Sequence, residues 1–251
     1  MNPRILAVTV GRVLRQLRHD RRTVALLVVV PALLLTLLYY MYGDQPATGG
    51  QPALFDRVAL IMLGVFPFVI MFLVTSIAML RERTSGTLER LLTTPLGRLD
   101  LLFGYGIAFG LAAAVQATLA SAVAYWLFDL STAGSPALVI AIAVLDALLG
   151  VALGLLCSAF ARTEFQAVQF MPVVVIPQLL LCGLFVARDE MAGWLEAISN
   201  VLPLSYAVSA LTEVGAHPEP TATLWRDLTV VAGAVVAALV LAAATLRRRS
   251  G

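Results

Sequence analysis

Six stretches of this chain are too long and too apolar to stay in water. They lie near residues 23–42, 58–80, 101–128, 136–160, 166–187 and 224–246. A helix needs about 20 apolar residues to cross a hydrocarbon layer, and each of these runs is of that order. A chain of 251 residues, 60% of them apolar and only 13% charged, has too little polar protein to wrap six such helices. With a mean hydropathy of +0.92 the solvent must be a bilayer. Inside it every backbone polar group has to be satisfied within its own segment, so the expected fold is all-α. The whole chain, 1–251, reads as one polytopic membrane domain of six transmembrane helices.

Orientation follows from arginine, since all 17 basic residues are Arg and Lys is absent. With the N-terminus inside, fourteen Arg fall on the cytoplasmic side and three, Arg57, Arg188 and Arg226, fall outside. That asymmetry agrees with an even number of spans and predicts both termini in the cytoplasm. The apolar run of the first span is too long for a signal peptide and no small-residue cleavage site follows it, so it is expected to be a retained anchor.

Residues 1–22 carry Leu6, Val10, Val13, Leu14 and Leu17 on one helical face and Arg4, Arg12, Arg15 and Arg18 on the other. This pattern predicts an interfacial helix whose arginines meet anionic headgroups. Residues 188–223 are expected to form two short helices dipping into the outer leaflet, because a loop this apolar would not stay solvated. Pro172 and Pro177 interrupt the fifth span, where each removes a helix hydrogen bond. Neighbouring helices would have to satisfy the freed carbonyls, so that span is expected in the bundle interior.

Few polar groups lie within the spans. Asp146 sits roughly 15 Å into the fourth at about 1.5 Å per residue, a depth at which a carboxylate costs about 2.5–3.5 kcal/mol on insertion scales. It reads either as a translocation-path or protonation site, or as an acid bonded to an amide such as Gln116 or Gln178. Gln116, Gln169 and Gln178 admit the same two readings, of which interhelical contact is the simpler. Gly104, Gly106, Gly110 and Ala112 to Ala114 permit close helix approach in the third span. Cys157 and Cys182 read as small apolar residues. No catalytic grouping and no metal site is visible, and a chain of net charge +2 with scattered Arg offers nucleic acid no footprint. Without Lys there is no phosphate-cradling G-x-x-x-x-G-K-[ST] loop.

The most informative segment is polar. Residues 81–98, RERTSGTLERLLTTPLGR, stand between the second and third spans on the predicted cytoplasmic side. Gly86 can cap a helix, Glu89 favours its positive end, and Pro95 stops it, which leaves about Thr87 to Thr93. Two turns are unstable alone. Leu88, Leu91 and Leu92 form an apolar face flanked by Glu89, Arg90 and Thr93. The alternatives are a docking element for a partner or membrane surface, and a plain solvated connector.

At these residues the sequence resembles the type-2 ATP-binding-cassette exporter permeases, the group that includes the daunorubicin-resistance permeases. Glu82, Arg83, Gly86, Thr87, Leu88, Glu89, Leu91, Leu92, Thr94, Pro95 and Leu96 carry the resemblance, which extends more weakly to MPVVVIPQLLLCGLF at 171–185 and LPLSYAVSALTEV at 202–214. Leu99 and Asp100 depart from it. The resemblance implies that 81–98 holds a coupling helix, Gly86 to Leu92, gripped by a separate ATPase subunit, with Arg83 and Glu89 as ionic contacts and Arg90 beside them. It implies two ATPases, which bring ATP and Mg, around two permease copies or a copy and a homologue in the cell membrane. This chain would then be no enzyme and hold no cofactor itself. The expected function is ATP-driven export of a hydrophobic or amphiphilic compound such as a drug, antibiotic or lipid. A polysaccharide cargo, or a proton-coupled carrier using Asp146, are the alternatives.

Overall fold

The structure, a computed structural model, describes residues 3–43, 53–84 and 98–245. Among the described residues every regular element is helical: α1 (Pro3–His19), α2 (Arg21–Tyr42), α3 (Leu54–Thr84), α4 (Arg98–Leu127), α5 (Pro136–Cys157), α6 (Glu164–Leu181), a 3-10 turn (Arg188–Glu190), α7 (Gly193–Ser199), α8 (Pro203–Ala216) and α9 (Ala222–Thr245). Six of them, α2 to α6 and α9, are long and apolar enough to cross a membrane. The chain is thus an all-helical, multi-pass membrane protein.

Local chemistry sets the boundaries. Asp20 breaks the chain between α1 and α2, and its carboxylate accepts the N–H groups of Arg22 and Thr23 at the new helix start. Ser135 caps α5 with Pro136 in the first turn, where a missing N–H does no harm. Thr163 caps α6 through the Gln166 N–H, while the Gln166 side chain accepts the Arg162 N–H, a reciprocal capping arrangement.

The core is the pairing of α3 and α5. Seventy-two per cent of the apolar window of α3 is buried, against 17% for α2, α6 and α9. Close approach explains the difference. Gly150 and Gly154 face α3 so tightly that a Cβ on either would lie 2.3 Å from the Phe68 carbonyl oxygen or 2.6 Å from that of Phe72. Small residues one turn apart allow this contact in a membrane, where association rests on packing. In α4, Gly104 receives Thr9 of α1 and Gly110 receives Leu148 of α5, whereas Gly106 opens onto a groove.

Two expectations change. The fifth span, α6, is peripheral: its main contacts are with α3, α7 and α8. Ala167, Val175 and Gln178 are turned inward, and Pro172, Pro177 and Gln169 are exposed. The prolines cannot donate to the carbonyls of Val168 and Val173, both on the outer face. Second, Arg12, expected among headgroups, is drawn inward: α1 packs on α3 and α4 through Val13 in the core cluster, with Val10, Leu14 and Leu17 against it, while Arg15 and Arg18 stay exposed. The segment 188–223 does fold into two short helices, α7 and α8, after the 3-10 turn. Ser199 and Ser205 each donate to the Leu181 carbonyl at the end of α6.

Candidate functional site

Polar residues of the two helices that flank the 85–97 segment form one junction with α1. α3 runs into that segment at Thr84 and α4 leaves it at Arg98. Near these ends Glu82 of α3, 5% exposed, and Tyr105 of α4, 1% exposed, face Arg12 of α1. One Arg12 nitrogen donates to the Tyr105 hydroxyl and the other approaches Glu82 Oε1 at 3.4 Å. The guanidinium also lies 5.6 Å from the centre of the Tyr105 ring.

This cluster arises from amphipathic geometry. Thr9 and Val13 of α1 are buried, and Arg12 stands at the border of that face, from which a long side chain reaches inward while its stem stays on apolar surface. Buried Glu82 needs a cation to offset lost hydration. A cation shared by α3 and α4, and carried by α1, ties together three helices, two of which flank residues 85–97. Above it, Arg81 makes a two-pronged pair with Glu164 of α6, at 2.8 and 3.1 Å. Both partners are exposed, so this pair contributes little to stability but adds a fourth helix to the same end.

Arg83, expected to contact a partner, lies in the last turn of α3, half-buried, and its Nε and Nη2 have no hydrogen-bond partner among the described residues. Gly86, Thr87, Leu88, Glu89, Arg90, Leu91 and Leu92 lie outside the described residues. Next to the cluster, a cavity of about 510 Å³ opens at the elbow of α1 and α2, lined by Asp20, Thr23, Arg81, Glu82 and Tyr105 with apolar walls from α3.

The three polar residues expected along a path are all inside the protomer. Asp146 has no exposure, and neither carboxylate oxygen has a hydrogen-bond partner among the described residues. Gly64 of α3 makes room for it, since a Cβ there would lie 3.3 Å from Asp146 Oδ2. Gln116 is buried with both amide atoms unpartnered. Gln178 is engaged instead with its own helix and with α8: it donates to the Val174 carbonyl at 3.0 Å and accepts from the Leu204 N–H at 3.4 Å. No bond joins Asp146 to either amide. Among the described residues no group of His, Cys, Asp or Glu is placed to hold a metal ion.

Arg12 and Tyr105 were missed in the sequence because neither lies in the polar segment. The Gly150-x-x-x-Gly154 spacing was readable as a close-packing signal and marks the central crossing. A family profile described as ABC-2 type transporter matches residues 4–214. Among curated proteins, the chain is 30% identical over 156 residues to the probable multidrug ABC transporter permease YbhR of Escherichia coli, which is 62% of this chain and 42% of that protein. It is 31% identical over 138 residues to the linearmycin resistance permease protein LnrN of Bacillus subtilis, 55% of this chain and 36% of that one. It is 28% identical over 171 residues to ABC transporter G family member 20 of Dictyostelium discoideum, 67% of this chain and 23% of the relative. The matches span less than half the length of each of these relatives.

Proposed function

The chain belongs to the ABC-2 type transporter family, and from that premise we propose that it is the membrane permease of an ATP-driven exporter of hydrophobic or amphiphilic compounds. Nucleotide chemistry comes from a separate ATPase subunit docked on residues 81–98. The relatives named for multidrug transport and linearmycin resistance support a drug-like or antibiotic cargo. The fourteen-to-three distribution of Arg supports placing both termini and this docking segment in the cytoplasm.

The observation that carries the reading is the Arg12, Glu82 and Tyr105 junction. A docked segment transmits force only if its two ends are rigidly joined to spans with more than one arrangement. Here the helices on either side of the segment, α3 at Glu82 and α4 at Tyr105, are held through one guanidinium to each other and to α1. Arg83 and Glu89 serve as ionic contacts to the ATPase, and Leu88, Leu91 and Leu92 as the apolar face that inserts into it. Asp146 and Gln116, buried without hydrogen-bond partners among the described residues, and Gln178 at the α6 to α8 contact are groups that a second arrangement of the spans would turn toward the cargo path.

The functional unit contains two copies of this chain or a copy and a homologue. The exposed face of α6, with Gln169 and two prolines that cannot donate to the carbonyls of Val168 and Val173, is costly against lipid and is relieved when another protein or water covers it. The test is purification of the full chain from membranes. A nucleotide-hydrolysing subunit should accompany it 1:1, and hydrolysis should depend on the chain. Gly86→Trp and Glu89→Lys should insert normally yet lower chain-dependent hydrolysis and export at least about tenfold, equivalent to about 1.4 kcal/mol of coupling. Export at full rate with no such subunit, following the proton gradient, would overturn the reading in favour of a proton-coupled carrier.

A further inference from the structure

At the end of the bundle away from α1, α3 and α8 and the segment after α6 enclose a cavity of about 370 Å³, within the range that holds small ligands. Its floor is apolar, formed by Leu60, Ile61 and Val208, and its rim carries Arg57, Arg188 and Ser209. This end of the molecule is acidic: the described residues place eight carboxylates there against three arginines. Of those arginines, Arg226 pairs with Asp227 at 2.8 Å. Arg57 and Arg188 make no ion pair among the described residues, although Asp56 also lines the cavity and is engaged by the Ser131 N–H at 3.2 Å.

Arg188 is held in place. It donates to the Asn200 side chain, stacks 5.1 Å from the centre of the Tyr206 ring, and keeps its Nε buried without a partner among the described residues. Two cations without an ion pair among the described residues, beside one apolar hollow, are complementary to a ligand that brings its own negative charge and an apolar tail, and they offset the repulsion such a ligand meets from the surrounding acids. We propose that this cavity seats an acyl amphiphile with a phosphate-class anionic head, supplied by the lipid around the protein, with the head between Arg57 and Arg188 and the first methylenes over Leu60, Ile61 and Val208. The site depends on neither ATP coupling nor the direction of transport.

The test uses the purified full chain in phosphatidylcholine nanodiscs, titrated with dioctanoyl phosphatidylglycerol, dioctanoyl phosphatidylcholine or inorganic phosphate while the melting temperature is followed. A ligand specific for the folded protein raises it saturably. The phosphatidylglycerol should bind at least about tenfold more tightly than the phosphatidylcholine, and inorganic phosphate should have no effect at the same concentration. Arg57→Gln, at an exposed residue with no ion pair among the described residues, should weaken phosphatidylglycerol about tenfold, the loss of one charge-assisted contact. Ser209→Phe, which fills the hollow, should abolish the saturable shift. Equal binding of the two lipids, an unchanged Arg57→Gln, or inorganic phosphate acting as strongly as phosphatidylglycerol would each overturn the proposal.

Discussion

A single guanidinium decides how the N-terminal helix is used. Arg12 lies at the edge of the α1 apolar stripe, where its helical position is equally compatible with headgroups and with the protein. Glu82 and Tyr105 decide between them, because a carboxylate and a phenol buried at the ends of α3 and α4 are satisfied by a shared donor. Arg12→Ala and Glu82→Ala should each lower stability by about 1–3 kcal/mol, the cost of leaving a partner unsatisfied. The double variant should lose clearly less than the sum, which a thermal-melting double-mutant cycle measures. Additive losses would show that the two do not act together. Asp20 is a second such residue. Hydrogen bonds from the Thr23 hydroxyl and N–H, then from the Arg22 N–H, hold its carboxyl below the ordinary carboxylate range. A lowered folded value means that the stabilisation is present above the unfolded pKa and is lost as pH falls through the folded one. Asp20→Asn should therefore flatten that acid-side loss in melting curves while keeping the cap, and Asp20→Ala should cost about 1 kcal/mol at neutral pH.

The central element pair rests on the absence of side chains. Gly150 and Gly154 allow the backbone of α5 to touch that of α3, and the rest of the core is arranged around this contact, including Phe68 and Phe72 with no exposure. Gly150→Ala should force the helices apart and destabilise the bundle by about 1–3 kcal/mol, as overpacking does. Gly106→Ala on α4, with nothing within 4 Å of its would-be Cβ, should be nearly neutral. Comparable losses in detergent melting for both variants would contradict this account. The α6 to α8 connection works differently, since two serine hydroxyls satisfy the Leu181 carbonyl and the Gln178 side chain accepts the Leu204 N–H at the start of α8. A helix end within a membrane bundle needs such donors. They explain why the 188–223 segment folds back onto the spans.

On the scale of the whole molecule, one face is unfinished. Phe165, Val173 and Ile176 of α6 are exposed beside Gln169 and two prolines, a combination that fits a protein or aqueous neighbour better than lipid. Val173→Cys or Ile176→Cys should form a covalent dimer when membranes are oxidised. Val236→Cys on α9, 60% exposed but uniformly apolar around it, should not. The reverse result would place the second copy on α9. The number of spans, the all-helical fold, the pair of short helices after the fifth span and the family resemblance were legible in the sequence. Hydrophobic length and charge asymmetry are local, additive properties that a bilayer reads one segment at a time. The inward turn of Arg12, the burial of Asp146 without a hydrogen-bond partner among the described residues, the peripheral place of α6 and the cavity rimmed by Arg57 and Arg188 were not legible. Each depends on which face of one helix meets which face of another, and contacts between residues 70 or more apart, such as Arg12 with Glu82, exist only in the packed bundle.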